Sequence, residues 1–419
     1  MKILDADAEN WSPEQTAERI AEYNPLLTAI IVQGVNPSAS STPKMTAAGE
    51  LLKILRVPDT CTILAGLHPS ALPERTLKEQ QVDFVCQGEG FYTILGILEW
   101  FRGGKASGGE LLIPGLNYRD GYAIMSNARP ELLPSSELPP VAWDLLDMTK
   151  YRAHNWQCLD NIDHRQPYGV IYTSLGCPYY CRYCNIHALY KGDRPSIRFR
   201  PPQKVAQEID LLVNKYGVRN IKIMDELFTI SEEQVASICD PIIRRGYDLN
   251  IWVYGRVGRV TKSMLEKMKQ AGISWICYGF ESASEKIRQG VHKQYKQDQI
   301  RQTVEMTKDA GIHIIANFIF GLPDDNLESM QETLNMAKEY NFEYVNFYTC
   351  MAYPGSQLYE DTLQQGVHLP ETWDGYSQLG YETLPLPTKY LSSEEVLALP
   401  DNSLCLGIGL YSLPYFLTS

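Results

Sequence analysis

Six short apolar runs recur between residues 166 and 365, and helical spacing separates them. The runs fall at 169–174, 220–224, 249–254, 275–279, 312–320 and 344–349. Helical stretches fall near 203–216, 231–245, 261–271, 296–310 and 325–340. Short continuous runs suit strands covered on both faces, as parallel strands between helices are. Parallel strand–helix units cross over right-handed, and six of them curl into an incomplete barrel. Reactive side chains are then expected at the C-terminal strand ends.

A second α/β alternation occupies residues 1–102. Lys2–Asp5, Ala29–Val35, Cys61–Gly66 and Val82–Cys86 read as strands. Residues 43–55 read as a helix with Thr42 as N-cap and Pro43 at N1, and a further helix runs to Phe101. The pattern predicts a doubly wound, Rossmann-like sheet with a ligand site at its strand ends. Residues 103–165 read as a linker: a Gly-rich run (103–109), a small hairpin (113–121) and a proline-stiffened strap (137–144). The barrel spans 166–365. Residues 366–419 form a C-terminal segment whose Trp373, Tyr376, Tyr381 and Tyr390 are expected to pack over the barrel mouth. Ser392 and Glu395 have capping-box spacing, and the pattern breaks after Pro400.

The length of 419 residues allows two or three domains. A net charge of −12 argues against a nucleic-acid binder of the basic-patch kind. No apolar stretch reaches membrane-spanning length, and no secretory signal opens the chain. With ten cysteines, a reduced cytoplasm is the expected compartment.

Three of those cysteines stand together. Ser174-Leu-Gly-Cys177-Pro-Tyr-Tyr-Cys181-Arg-Tyr-Cys184-Asn-Ile-His187 follows the first barrel strand. Three thiolates at this spacing can hold an iron–sulfur cluster and leave one iron open to substrate. A zinc site completed by His187, a disulfide with a spare thiol, and three unrelated buried cysteines are the competing readings. The C-x3-C-x-Tyr183-Cys184 loop resembles that of the radical S-adenosylmethionine (SAM) superfamily. The resemblance implies a [4Fe-4S] cluster on Cys177, Cys181 and Cys184 that cleaves SAM reductively to a 5′-deoxyadenosyl radical. Tyr183 would then face the adenine.

The same resemblance extends to the strand ends. Asp225 and Glu226 match the motif that contacts the SAM amino group. Arg256, Glu281 and Ser282 match positions around the ribose and methionine, the Gly321-Leu-Pro323 turn resembles the one beside the adenine, and Asn317 on the fifth strand is a further cofactor-binding candidate. The null roles are an Arg256–Glu281 ion pair, capping by Asp225 and layer packing by Asn317. Arg198-Phe-Arg200-Pro-Pro202, preceded by Lys191 and Arg194, resembles a basic stretch that follows the cluster loop in that family.

In residues 1–102, loops carrying Ser38, Gly66, His68, Gly88 and Glu89 resemble those of the cobalamin-binding domain that precedes many radical SAM domains. Small residues there would admit a flat corrin. Gly66 and Gly88 could equally be turn glycines. The D-x-H-x-x-G signature of cobalt-ligating domains is absent. The stretch beginning at Lys2 usually follows a further strand and helix in that family, so the first β–α unit is expected to be missing. The expected function is cobalamin-assisted methylation of an unactivated carbon in a small-molecule substrate. A flavodoxin or ferredoxin would supply electrons. The alternatives are a non-methylating oxidoreductase or cyclase, and a degenerate, non-catalytic iron–sulfur module. Tyr348 and Tyr353 are candidate substrate contacts.

Overall fold

The computed structural model describes residues 1–398 apart from 35, 104–110, 160, 191–195 and 379, and leaves out the side chains of Pro37 and Ser38. Ser38 as a cofactor contact, the basic pair Lys191 and Arg194, the Gly-rich run from 104 onward, and the break after Pro400 therefore fall outside the described residues.

Two sheets organise the chain. The first contains β1 (Leu27–Val32), β2 (Cys61–Gly66), β3 (Phe84–Cys86), β4 (Leu116–Asp120) and β5 (Ala123–Ser126), in that spatial order. β1, β2 and β3 are parallel; β4 and β5 add as an antiparallel hairpin. The hairpin expected in the linker is thus part of the first sheet, which reaches Ser126. Its Leu116 and Tyr118 complete a core with Ile63, Phe84 and Ile97. Lys2–Asp5 forms no strand; Asp5 caps the short helix Ala6–Glu9 through Ala8 N, 3.1 Å. Thr42 does not cap the helix Lys44–Ile54 either. Pro43 takes the N-cap position, and the Thr42 hydroxyl meets His68 Nδ1 at 3.3 Å.

The second sheet joins β6 (Tyr168–Ile171), β9 (Asn220–Ile223), β10 (Asn250–Gly255), β11 (Ile273–Glu281), β12 (His313–Phe320) and β13 (Tyr344–Thr349). All six are parallel in sequence order, the incomplete barrel expected from the alternation. Intervening helices bury one stripe each. Pro202–Tyr216 starts on Pro202 at N1, ends at Gly217 with φ +71°, and buries Val205, Ile209, Leu212 and Val213. Each such apolar side chain contributes about 1.5–3 kcal/mol on burial. Between β6 and β9, a separate antiparallel ribbon pairs β7 (Ser174–Gly176) with β8 (Ile197–Phe199). It brackets the cysteine loop. Gly176 has φ +86°, and a Cβ there would lie 2.5 Å from the Ser196 carbonyl, so only glycine lets the ribbon close.

The C-terminal segment splits. Tyr376 is fully buried and packs with Met351 and Tyr353, with Ala39 and Trp373 against them. Tyr381 and Tyr390 are exposed and cover nothing. The Ser392 capping box forms, with Glu395 N to Ser392 Oγ at 3.3 Å and Ser392 N to Glu395 Oε2 at 2.8 Å.

Candidate functional site

A cavity of about 240 Å³ opens at the C-terminal ends of the six parallel strands. Cys177, Cys181 and Cys184 line it together, from the loop that β7 and β8 bracket. That loop is tied down at both flanks: Arg182 N donates to the Val291 carbonyl at 3.1 Å, and Asn185 Nδ2 donates to the Pro354 carbonyl at 3.1 Å. Burial pushes the Cys177 thiol up to about 11, so a cation must displace its proton for the sulfur to become a ligand. Among the described residues, no three His, Cys, Asp or Glu side chains converge as the ligands of one ion do. His187 instead meets the Tyr179 carbonyl through Nε2 at 2.7 Å and stacks on Tyr180 at 4.6 Å. A zinc ion completed by His187 does not fit this geometry. Thiols that each hold a different iron of a cluster need no common point, and three on one wall fit that demand.

Four titratable side chains line the cavity; Glu226, Arg256 and Glu281 bond the cysteine segment, and Lys293 joins it through Glu281. Arg256 Nη1 donates toward the Cys181 sulfur at 3.8 Å, with its guanidinium 4.0 Å over the Tyr179 ring. Tyr183 donates through its hydroxyl to Glu281 Oε1 at 2.8 Å. Lys293 Nζ meets the same oxygen at 2.7 Å. Burial alone would lower the Lys293 ammonium, but Glu281 and Cys181 together hold it above its ordinary value. Glu226 accepts from Gly176 N at 3.1 Å, and burial pushes its carboxyl up to about 8. Glu281 reaches the cavity through an irregular strand end: its φ is +62°, and the register with β12 shifts between Gly279 and Glu281.

The cavity gathers some of the expected residues and leaves others out. Cys177, Cys181, Cys184, Tyr183, Glu226, Arg256, Glu281 and Asn317 line it. Asn317 donates to the Cys277 sulfur at 3.2 Å and accepts from Asn346 Nδ2 at 2.9 Å. Asp225 does not line it. The carboxylate turns back and accepts from Thr173 N at 2.6 Å, Ser174 Oγ at 2.7 Å and the Thr173 hydroxyl, which pins the start of the cysteine segment. Ser282 is buried against Thr333, 3.3 Å between hydroxyls, and Gly321 packs against Val396; neither lines the cavity. Arg256 and Glu281 are not paired with each other: Glu281 takes Lys293 and Tyr183.

From the first sheet, the loop after β1 contributes Asn36 and Ala39. The other expected cofactor residues there lie elsewhere. A Cβ on Gly66 would lie 2.3 Å from the Val32 carbonyl, at φ +122°, so this glycine serves strand-to-strand approach. Gly88 N donates to Ser70 Oγ at 3.0 Å. Glu89 pairs with Arg198 of β8 and accepts from Leu133 N at 3.1 Å, joining the first sheet's strand end to the β7–β8 ribbon. His68 is buried, with Trp373 edge-on at 4.4 Å; burial, then Arg75, pulls its imidazole down to about 3, so it is neutral at pH 7.

Sequence reasoning missed Lys293, Tyr179 and Cys277. Lys293 stands in irregular chain after the helix Glu285–Gly290, where no periodicity marks it. Cys277 sits inside an apolar strand and looks like core.

Residues 171–337 match the radical SAM superfamily. An uncharacterized methyltransferase of Pyrococcus horikoshii is 28% identical over 400 residues, covering 94% of this chain and 81% of the relative. An anaerobic magnesium-protoporphyrin IX monomethyl ester cyclase of Rubrivivax gelatinosus is 26% identical over 86% of this chain, which spans 62% of that relative's length. The radical SAM methyltransferase TsrM of Kitasatospora setae, solved with cobalamin and a [4Fe-4S] cluster bound, superposes with a TM-score of 0.69 at 17% identity, over 88% of this chain and 70% of TsrM. That likeness shows the fold: an N-terminal Rossmann-like domain followed by a radical SAM barrel. Residues 171–337 thus carry a radical SAM domain.

Proposed function

We propose that this enzyme uses a [4Fe-4S] cluster to cleave SAM, and that it methylates an unactivated carbon of a small molecule with the help of cobalamin. One observation carries the proposal: three thiols, four titratable side chains and a loop of the first sheet all line a single cavity. When bound, the cluster supplies the electron that splits SAM into methionine and a 5′-deoxyadenosyl radical, and cobalamin carries a transferable methyl group.

The chain's own residues prepare that chemistry. Arg256 places a fixed positive charge beside the Cys181 sulfur, complementary to the charge of a metal-bound cluster. Arg256 and Lys293 offer donors for the SAM carboxylate, while Glu281 and Glu226 offer acceptors for its ammonium and ribose hydroxyls. Tyr183 is anchored by Glu281 and presents its ring to the cavity for the adenine. Burial of the whole set excludes water from a radical that would otherwise be quenched. On the facing wall, Asn36 and Ala39 are small enough to admit the edge of a flat corrin. His68 is no cobalt ligand, since Trp373 covers its buried ring.

The name of the Pyrococcus horikoshii relative supports methyl transfer. The cyclase of Rubrivivax gelatinosus supports a second reading, a ring-forming oxidation without methyl transfer. Either reaction draws electrons from a reduced flavodoxin or ferredoxin. A cluster held by thiolates suits a reducing cytoplasm. Among the described residues no helix is long and apolar enough to cross a membrane.

The deciding experiment is anaerobic: reconstitute the cluster, load hydroxocobalamin, remove the excess, add SAM and a strong reductant, and quantify nucleosides. 5′-Deoxyadenosine together with cobalamin-dependent S-adenosylhomocysteine is the expected result. 5′-Deoxyadenosine alone would favour the cyclase type. Absence of both would overturn the proposal.

A further inference from the structure

A row of oxidisable rings runs through the barrel, from the cavity to the opposite face of the fold. Tyr254 lines the cavity and is half-buried. Among the described residues the Tyr353 and Tyr376 hydroxyls are sealed and unpaired, and that of Tyr254 is not. Trp252, two residues earlier on β10, lies 5.1 Å from Tyr254 between ring centroids. Trp252 meets Trp156 at 5.3 Å, and Trp156 meets Trp275 of β11 at 5.2 Å. Trp275 in turn lies 4.6 Å from His313. His313 is exposed at the start of β12, and Trp156 is half-buried. Each ring therefore touches the next, and the row ends in solvent.

Trp156 is the junction of this row, and it comes from outside the barrel. It sits on the single-turn helix Asn155–Cys158, ahead of the first barrel strand. Gln157 holds that helix against the strand starts, donating through Nε2 to the Asn250 carbonyl at 2.9 Å. Branched aliphatic side chains ordinarily fill a barrel interior. Here three of the chain's seven tryptophans meet there instead. Aliphatic side chains would supply the bulk; contiguous rings also supply a path for electrons.

We propose that this row carries oxidising equivalents out of the cavity when SAM is cleaved with no substrate in place. The oxidant, a 5′-deoxyadenosyl radical, rests on the functional reading above; the path rests on ring geometry alone. The radical takes the hydrogen atom of the Tyr254 hydroxyl. A C–H bond forms, the O–H bond breaks, and a phenoxyl radical remains. One electron passes from Trp252 to the phenoxyl, and the vacancy moves through Trp156 to Trp275. A low-molecular-weight thiol at the His313 end supplies the missing electron and releases its proton to solvent; pairs of the resulting thiyl radicals join as a disulfide. Tyr254 recovers its proton through the cavity. Lys222 Nζ lies 4.4 Å from the Trp252 ring and 5.3 Å from that of Tyr254. Its charge disfavours a positive ring beside it, so the vacancy passes these positions as a neutral radical. Trp252 can share its proton accordingly, since Nε1 donates to the Tyr168 hydroxyl at 3.0 Å.

The path is tested first without cluster or SAM. A ruthenium photo-oxidant is attached to His313 of the full chain, the singly labelled species is purified, and its site is checked by peptide mapping. Flash oxidation is expected to place a radical on Tyr254, read as a tyrosyl signal by electron paramagnetic resonance. Tyr254→Phe should lose the signal. Trp156→Phe, whose ring packs but resists oxidation, should lose it too, and Trp156→Tyr should restore it. A purely space-filling Trp156 predicts no difference between Phe and Tyr. No signal in the wild-type chain overturns the proposal, as does an unchanged signal in either Phe variant. If Trp156→Phe does not fold, wild type against Tyr254→Phe still decides. The source is tested next, with the reduced, cluster-loaded enzyme and SAM in deuterium oxide and no substrate. The Tyr254 hydroxyl exchanges with solvent, so 5′-deoxyadenosine should gain a deuterium in the wild type and lose that gain in Tyr254→Phe. Deuterium-free 5′-deoxyadenosine from the wild type overturns the proposal. No 5′-deoxyadenosine at all removes the functional reading instead and leaves the flash result standing.

Discussion

The C-terminal ends of the parallel strands in the two sheets face different tasks. At the barrel end, charges are buried, paired and turned toward a cavity: Arg256 at Cys181, and Lys293 and Tyr183 at Glu281. At the first sheet's end, the polar groups are closed in on the protein. His68 is neutral under Trp373, Gly88 is held by Ser70, and Glu89 is spent on Arg198. Among the described residues of that end, only the loop after β1 reaches the cavity. Two ends with similar sequence cues, glycines and acidic residues after strands, thus diverge into a reactive wall and a structural wall. What separates them is where each side chain finds its partner.

Substitutions can break or sharpen that contrast. The largest effect is expected at the reactive wall: Cys181→Ala should remove the bound cluster and take 5′-deoxyadenosine formation to background, measured by iron content and nucleoside analysis. Lys293→Met strips Glu281 of its buried partner. Breaking such a pair costs about 3–5 kcal/mol, so denaturant midpoints should fall and the KM for SAM should rise, with Lys293→Arg restoring part of both. At the structural wall, Gly66→Ala forces a Cβ to 2.3 Å from the Val32 carbonyl at φ +122°. A loss of about 2–4 kcal/mol is expected, read as a lower Tm. If Gly66→Ala instead abolished SAM cleavage without changing Tm, the contrast would be wrong.

The smallest effect is a pH slope. The His68 imidazole lies at about 3 in the fold, against an ordinary value of 6.5. Between those values the unfolded chain binds the extra proton. Stability is therefore complete above pH 6.5 and falls by about 1.4 kcal/mol per pH unit as the pH drops toward 3. His68→Gln should flatten that part of the stability profile, measured by urea unfolding across the range.

Much of this was legible in the residues. The barrel strands appear as apolar runs because both faces are covered, and the cysteine loop announces itself by spacing. The partners of the polar groups were not legible. Asp225 and Glu226 are neighbours in sequence, yet one turns back to Thr173 and the other faces the cavity, a choice made by β6–β9 pairing. The 116–126 hairpin reads as a linker ornament until tertiary packing adds it to the first sheet. Thr42 has the chemistry of a helix cap, but a buried histidine competes for its hydroxyl and wins. Lys293 gave no signal at all, since its partner lies twelve residues upstream across a helix.

Gathering the titratable groups of the cavity around one loop has an evolutionary consequence. Mutations that re-line β12, β13 and the residues after them can change what is accepted without touching the apparatus that handles SAM. Selection can then explore new chemistry on one wall while purifying selection holds the other. A lineage built this way diversifies by retooling a single side of its cavity, and relatives named for methylation and for ring closure are what such a lineage would leave behind.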